Sequence, residues 1–164
     1  LSFYMMKAMA VALPDSPAMT LAVVPLVAIV FIAALAEEIG WTGYATQPLL
    51  QRWGVLRGGV LLGSVWVAFH LILLVQVDRT WEWIAWWSLG TLSLRTIMFW
   101  LYAHAGDSVF AATLFHAMIN LSWQLFPIHG SFYDPRIFSL VTLVLGVLLV
   151  VSLPLLSRGM RNAA

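Results

Sequence analysis

Long apolar runs separated by short polar links dominate the chain. Five windows, residues 17–36, 58–76, 83–103, 108–127 and 137–157, are apolar over a length near that of a bilayer core, which takes about 20 helical residues to cross. The pattern predicts an all-α fold, a polytopic transmembrane helix bundle of about five spanning helices. Pro25 falls inside the first window and predicts a kink there. The link YATQPLLQRWGVLR, residues 44–57, mixes apolar and basic positions and suits a short amphipathic helix on the membrane surface. Residues 1–13 read as the tail of an earlier helix or as an interfacial segment. No linker, repeat or low-complexity stretch divides residues 1–164, so a single membrane-embedded domain is expected. The chain opens on Leu1 with no signal-peptide pattern, which reads as an N-terminally truncated fragment.

Composition sharpens this picture. The 164 residues are 62% hydrophobic and 9% charged, with a mean hydropathy of +0.94. Soluble domains carry about 25% charged residues. The net charge of +1 gives no electrostatic reason for a nucleic-acid partner. The absence of cysteine removes disulfides and thiolate metal sites. The stretch WEWIAWW, residues 81–87, has the character of an interfacial aromatic belt. The Lys/Arg distribution places 44–57 and the C-terminus in the cytoplasm, because Arg52, Arg57, Arg158 and Arg161 lie at one end of a five-span bundle. Arg79 and Arg136, beside Asp78 and Asp134, fall at the other.

Against this background a few polar residues stand out, since ionisable groups within spans are costly and usually functional. Glu37 and Glu38 are adjacent, so on a helix they point about 100° apart. They cannot share a face, but both can border one cavity. His116 and Asn120 are one helical turn apart on an otherwise apolar stretch, LFHAMIN. His70 follows Trp66 by one turn. Arg95 lies deep in the third span, too far in to snorkel easily, and needs an acid, Glu37 or Glu38. Each has a blander use: helix capping for the glutamates, interhelical hydrogen bonds for His116 and Asn120, a satisfied core histidine for His70, a structural ion pair for Arg95.

Together these groups suit hydrolysis by activated water. One glutamate takes the proton from water and a histidine orients that water or shares the proton. His116 and Asn120 stabilise the oxyanion. The same residue types also match a His₂Glu zinc set made of Glu37, His70 and His116, and the sequence does not separate the two mechanisms.

The order AEEIGWTG, WVAFH, LFHAMIN on successive apolar helices resembles the CPBP family of intramembrane proteases, which includes CAAX-processing Rce1-type endopeptidases and bacterial Abi proteins linked to bacteriocin self-immunity. The resemblance covers about residues 30–125. It implies a membrane-integral hydrolase (a peptidase) of the bacterial or archaeal plasma membrane, its site facing the cytoplasm, acting on a peptide or lipidated peptide. It further implies that Glu37 and His70 activate water, that His116 and Asn120 form the oxyanion hole and that Glu38 supports the site. The family's Glu-Glu pair is usually followed by Arg at the position of Thr42. Arg95 is the expected replacement for that charge. The same departure also supports an alternative, a non-catalytic scaffold or bacteriocin self-immunity protein. A proton or solute pathway built on the Glu and His residues is a third reading, disfavoured by the lack of an inverted repeat.

Overall fold

The structure, a computed structural model, describes residues 1–13, 21, 23–125 and 134–152. Six α-helices account for most of these, and no strand is present among the described residues. They are α1 (Ser2–Ala8), α2 (Val23–Glu38), α3 (Gln47–Gln76), α4 (Trp81–His104), α5 (Val109–Leu125) and α6 (Pro135–Val147). A π-helical stretch, Ile39–Thr46, joins α2 to α3, and another, Leu148–Ser152, continues α6. Helix is what a chain without water at its backbone must form, because every N–H and C=O has to be paired internally.

Residues 17–20 and 22 of the first window lie outside the described residues. Helix α2 begins at Val23 and keeps Pro25 in its first turn, where the missing N–H would have had no helical partner. Pro25 therefore kinks no helix within the described residues. The link 44–57 differs too. The backbone passes from α2 through the π stretch into α3 as one helical run, Val23–Gln76, long and apolar enough to cross a membrane. The run is broken only at Gly54, whose φ of 71° and ψ of −178° turn the chain; a side chain at that φ would be strained. Glu37 and Glu38 consequently lie inside a helical run.

Helix α4, 24 residues long, is the central element. It packs against α3 on one side and α6 on another, while α2 packs against α5. Gly59 and Gly63, one turn apart on α3, permit the close approach to α4: an added Cβ at Gly63 would stand 2.8 Å from Leu92. Small residues at such contacts are the usual solution where lipid supplies no hydrophobic drive for helix association. At the α6 contact the Ser139 hydroxyl donates to the Trp86 carbonyl. Thr80 caps α4 by accepting from Trp83 N–H, and Asp134 caps α6 by accepting from Arg136 N–H. An exposed ion pair between Arg136 and Glu82, 2.5 Å long, puts both caps at one end of the bundle. Gly43, against Val109, marks the opposite end.

Candidate active site

Two faces of one helix run carry the acids, and they meet different surroundings. Glu38 is fully buried at 0% exposure. Arg95 of α4 grips it from the side, with Nη1 donating to Oε2 at 2.8 Å and Nη2 to Oε1 at 2.9 Å. Thr42, one turn further along the π stretch, donates its hydroxyl to Oε2 and accepts from Arg95 Nη1 at 3.3 Å. His116 of α5 donates Nδ1–H to Oε1 at 2.9 Å. Each carboxylate oxygen thus accepts two hydrogen bonds, which uses the four lone-pair directions the group offers. Glu38 has none left for a water proton. It serves as the joint where the first helix run, α4 and α5 meet.

Glu37 faces the other way. It is half-buried and lines a cavity of about 840 Å³. Among the described residues its one hydrogen bond is a long one from Trp66 Nε1, 3.4 Å from Oε2. His70, His116 and Asn120 line the same cavity. His70 Nδ1 is 2.8 Å from the Trp66 carbonyl. A carbonyl only accepts, so Nδ1 carries the proton and Nε2 presents a lone pair. His116 spends Nδ1–H on Glu38 and likewise offers Nε2; it donates from that atom only as imidazolium. The cavity therefore gathers four of the residues expected from sequence, Glu37, His70, His116 and Asn120. Glu38 and Arg95 stand behind the wall.

The remaining walls are mostly apolar. They run from Trp66 and Phe115 out to Leu74, Val77, Arg79 and Trp83, at the end of the bundle that carries the α3–α4 turn. The tryptophan-rich segment divides its labour. Trp81 is exposed at 76%, as an anchor would be, whereas Trp83 and Trp87 line the cavity, with Trp87 5.7 Å from the His70 ring. Among the described residues no three His, Asp or Glu side chains gather closely enough to share a cation. Glu37, His70 and His116 do not converge as a metal-binding set in this arrangement.

Trp66 is the residue the sequence reading undervalued. It is 6% exposed and touches four members of the site: the Glu37 carboxylate at its N–H edge, both histidines edge-on at 5.3 Å, and the Arg95 guanidinium over its face at 4.2 Å. The available signal was its place four residues before His70, on the same face of the same helix.

Comparison with known proteins identifies the family. CAAX prenyl protease 2 of Methanococcus maripaludis is 29% identical over 114 residues, 64% of this chain and 42% of the relative. The chain thus spans under half the length of that curated relative. A family model, type II CAAX prenyl endopeptidase Rce1-like, matches residues 19–122, a range that holds every residue of the cavity's polar cluster. The chain belongs to this Rce1-like, membrane-integral family.

Proposed function

We propose that this chain carries the hydrolytic centre of an intramembrane endopeptidase that cleaves a peptide bond with glutamate-activated water. The observation that carries the proposal is the unequal treatment of two neighbouring acids. Glu38 is saturated and sealed, while Glu37 stands almost unpartnered on a cavity wall beside a histidine lone pair. Glu37 takes a proton from water as that water attacks the scissile carbonyl. His70 Nε2 accepts the second water hydrogen bond and fixes the direction of attack. Asn120 and imidazolium His116 donate to the oxyanion. The proton held by Glu37 then passes to the leaving amine. Apolar walls exclude competing water and strengthen each of these interactions.

The name of the relative, a CAAX prenyl protease, supports a lipidated peptide as substrate, and the mostly apolar cavity suits one. Bacteriocin-related processing is the other peptide substrate class for the same site. The replacement of Arg by Thr42 was the ground for a scaffold or immunity role. Arg95 places a guanidinium on Glu38 from another helix, which favours a working site. We further propose that the cavity mouth faces the cytoplasm. The mouth and segment 44–57 lie at opposite ends of the bundle, so this orientation puts 44–57 outside, against the Lys/Arg bias. Cysteines introduced at Val77 and Gln51 and probed with an impermeant maleimide in intact cells decide it: labelling at 51 alone supports the proposal, and labelling at 77 alone reverses it.

The activity test is cleavage of a fluorogenic peptide library by the purified protein in detergent, beside Glu37→Ala, with and without a chelator. Cleavage that survives chelator and vanishes in the variant supports the proposal. Cleavage lost to chelator moves the chemistry to a metal. A folded wild type that cleaves nothing favours the scaffold reading.

A further inference from the structure

The Arg95 guanidinium is buried, and two acids stand on adjacent residues of the first helix run, yet among the described residues it pairs with Glu38 and no other acid. Among the same residues Glu37 keeps a single long hydrogen bond. Left to electrostatics in a low-dielectric interior, an arginine with five N–H donors would be shared between both carboxylates. The side chain in contact with both groups is an indole. The Arg95 guanidinium carbon lies 4.2 Å from the centroid of the Trp66 ring, over its face, and Glu37 meets the edge of that ring at Nε1.

We infer that Trp66 is a positioning residue that partitions the site: its face holds Arg95, its N–H edge holds Glu37, and the base of the proposed reaction is thereby kept out of an ion pair. This rests on the water-activation reading of Glu37. Three physical points support it. A cation over an indole face is held there by the ring quadrupole, so Arg95 gains by staying on its own side. The ring itself is fixed, nine-tenths buried and wedged edge-on between His70 and His116. The indole N–H then gives Glu37 a direction without giving it a charge. A carboxylate captured by arginine is a poor base; one oriented by a neutral donor keeps its basicity.

The residue type is what the function needs. Leucine or methionine at 66 fills volume but offers no face for the cation. Phenylalanine keeps the face and loses the donor. The expected series on one cleaved peptide from the library is therefore graded. Trp66→Phe lowers kcat roughly threefold, the loss of one weak neutral hydrogen bond. Trp66→Leu and Trp66→Met lower kcat about a hundredfold, within the range ascribed to general-base catalysis, with KM moved less than threefold. A purely structural role would move melting temperature and KM with kcat, and would not be rescued by phenylalanine.

The second readout needs no turnover. A hydrophobic carbodiimide adds to a carboxyl group that is free of an ion pair, and the adduct is mapped by mass spectrometry. Glu37 should be labelled in wild type and in Trp66→Phe. Labelling should fall at least tenfold in Trp66→Leu and Trp66→Met, where Arg95 can reach it. Glu38 should stay unlabelled throughout. Unchanged labelling of Glu37 in both aliphatic variants overturns the partition, whatever happens to kcat. Protection of Glu37 with kcat unchanged overturns it equally. If wild type cleaves no peptide, the proposed function fails while the labelling pattern still decides the role of Trp66. Methionine is included because its flexible chain repacks where leucine disturbs the fold.

Discussion

Glu37 and Glu38 share a backbone, a residue type and a depth in the bundle, yet they live in two different regions. One region is the sealed knot of Glu38, Arg95, Thr42 and His116, with every carboxylate lone pair used. The other is the cavity wall of Glu37, His70 and Asn120, where lone pairs are left open. The difference teaches that buried charge serves two ends. A neutralised, fully bonded pair fixes three helices relative to one another. An acid left nearly alone is available for chemistry, and it stays available because its neighbour has absorbed the cation.

The sharpest way to break the comparison is to exchange the two behaviours. Glu37→Gln should remove turnover by about 10²–10⁴-fold with little change in melting temperature, measured by peptide cleavage and thermal unfolding in the same detergent. Arg95→Leu strands Glu38 as an uncompensated buried charge and should cost about 3–5 kcal/mol of stability, read as a large fall in melting temperature. A stable, active Arg95→Leu protein would show that the knot is dispensable. Asn120→Ala should lower kcat about 10²-fold and leave stability nearly intact, which sharpens the view that the cavity wall is about rate. Thr42→Val removes one donor from Glu38 and should cost roughly 1–3 kcal/mol. It should lower the melting temperature modestly and change KM little, as expected of a residue that never meets substrate.

Much of this was visible in the residues. The helices were readable because long apolar windows, each near the length that crosses a bilayer core, leave few other options. The polar residues of the site were readable because each interrupts such a run. That Arg95 would seek a glutamate was readable as well; the choice of Glu38 was not, because adjacent acids differ only in which helix face they occupy. The passage from α2 into α3 was also hidden. IGWTGYAT carries two glycines and two threonines, residues of modest or poor helix propensity, and reads as a break. Packing against α3, α4 and α5 holds it helical. Its π geometry keeps Glu38, Thr42 and Thr46 on one buried face, and such segments are often found at functional sites. Trp66 escaped notice because an aromatic in an apolar helix is usually only packing.

The break at Gly54 has a consequence for how the molecule can vary. Glu38 precedes it by sixteen residues and His70 follows it by sixteen, and the two arms meet again where Trp41 touches Phe69, ring centroids 6.0 Å apart. The corner makes the run a folded ruler, with the acid and the histidine at matching marks. Adding or deleting one residue in either arm slides its mark by about 1.5 Å and swings it by about 100°. Substitutions along these arms can be absorbed one at a time; a change of length cannot, so insertions are tolerable at the far tips of the arms and nowhere between the marks.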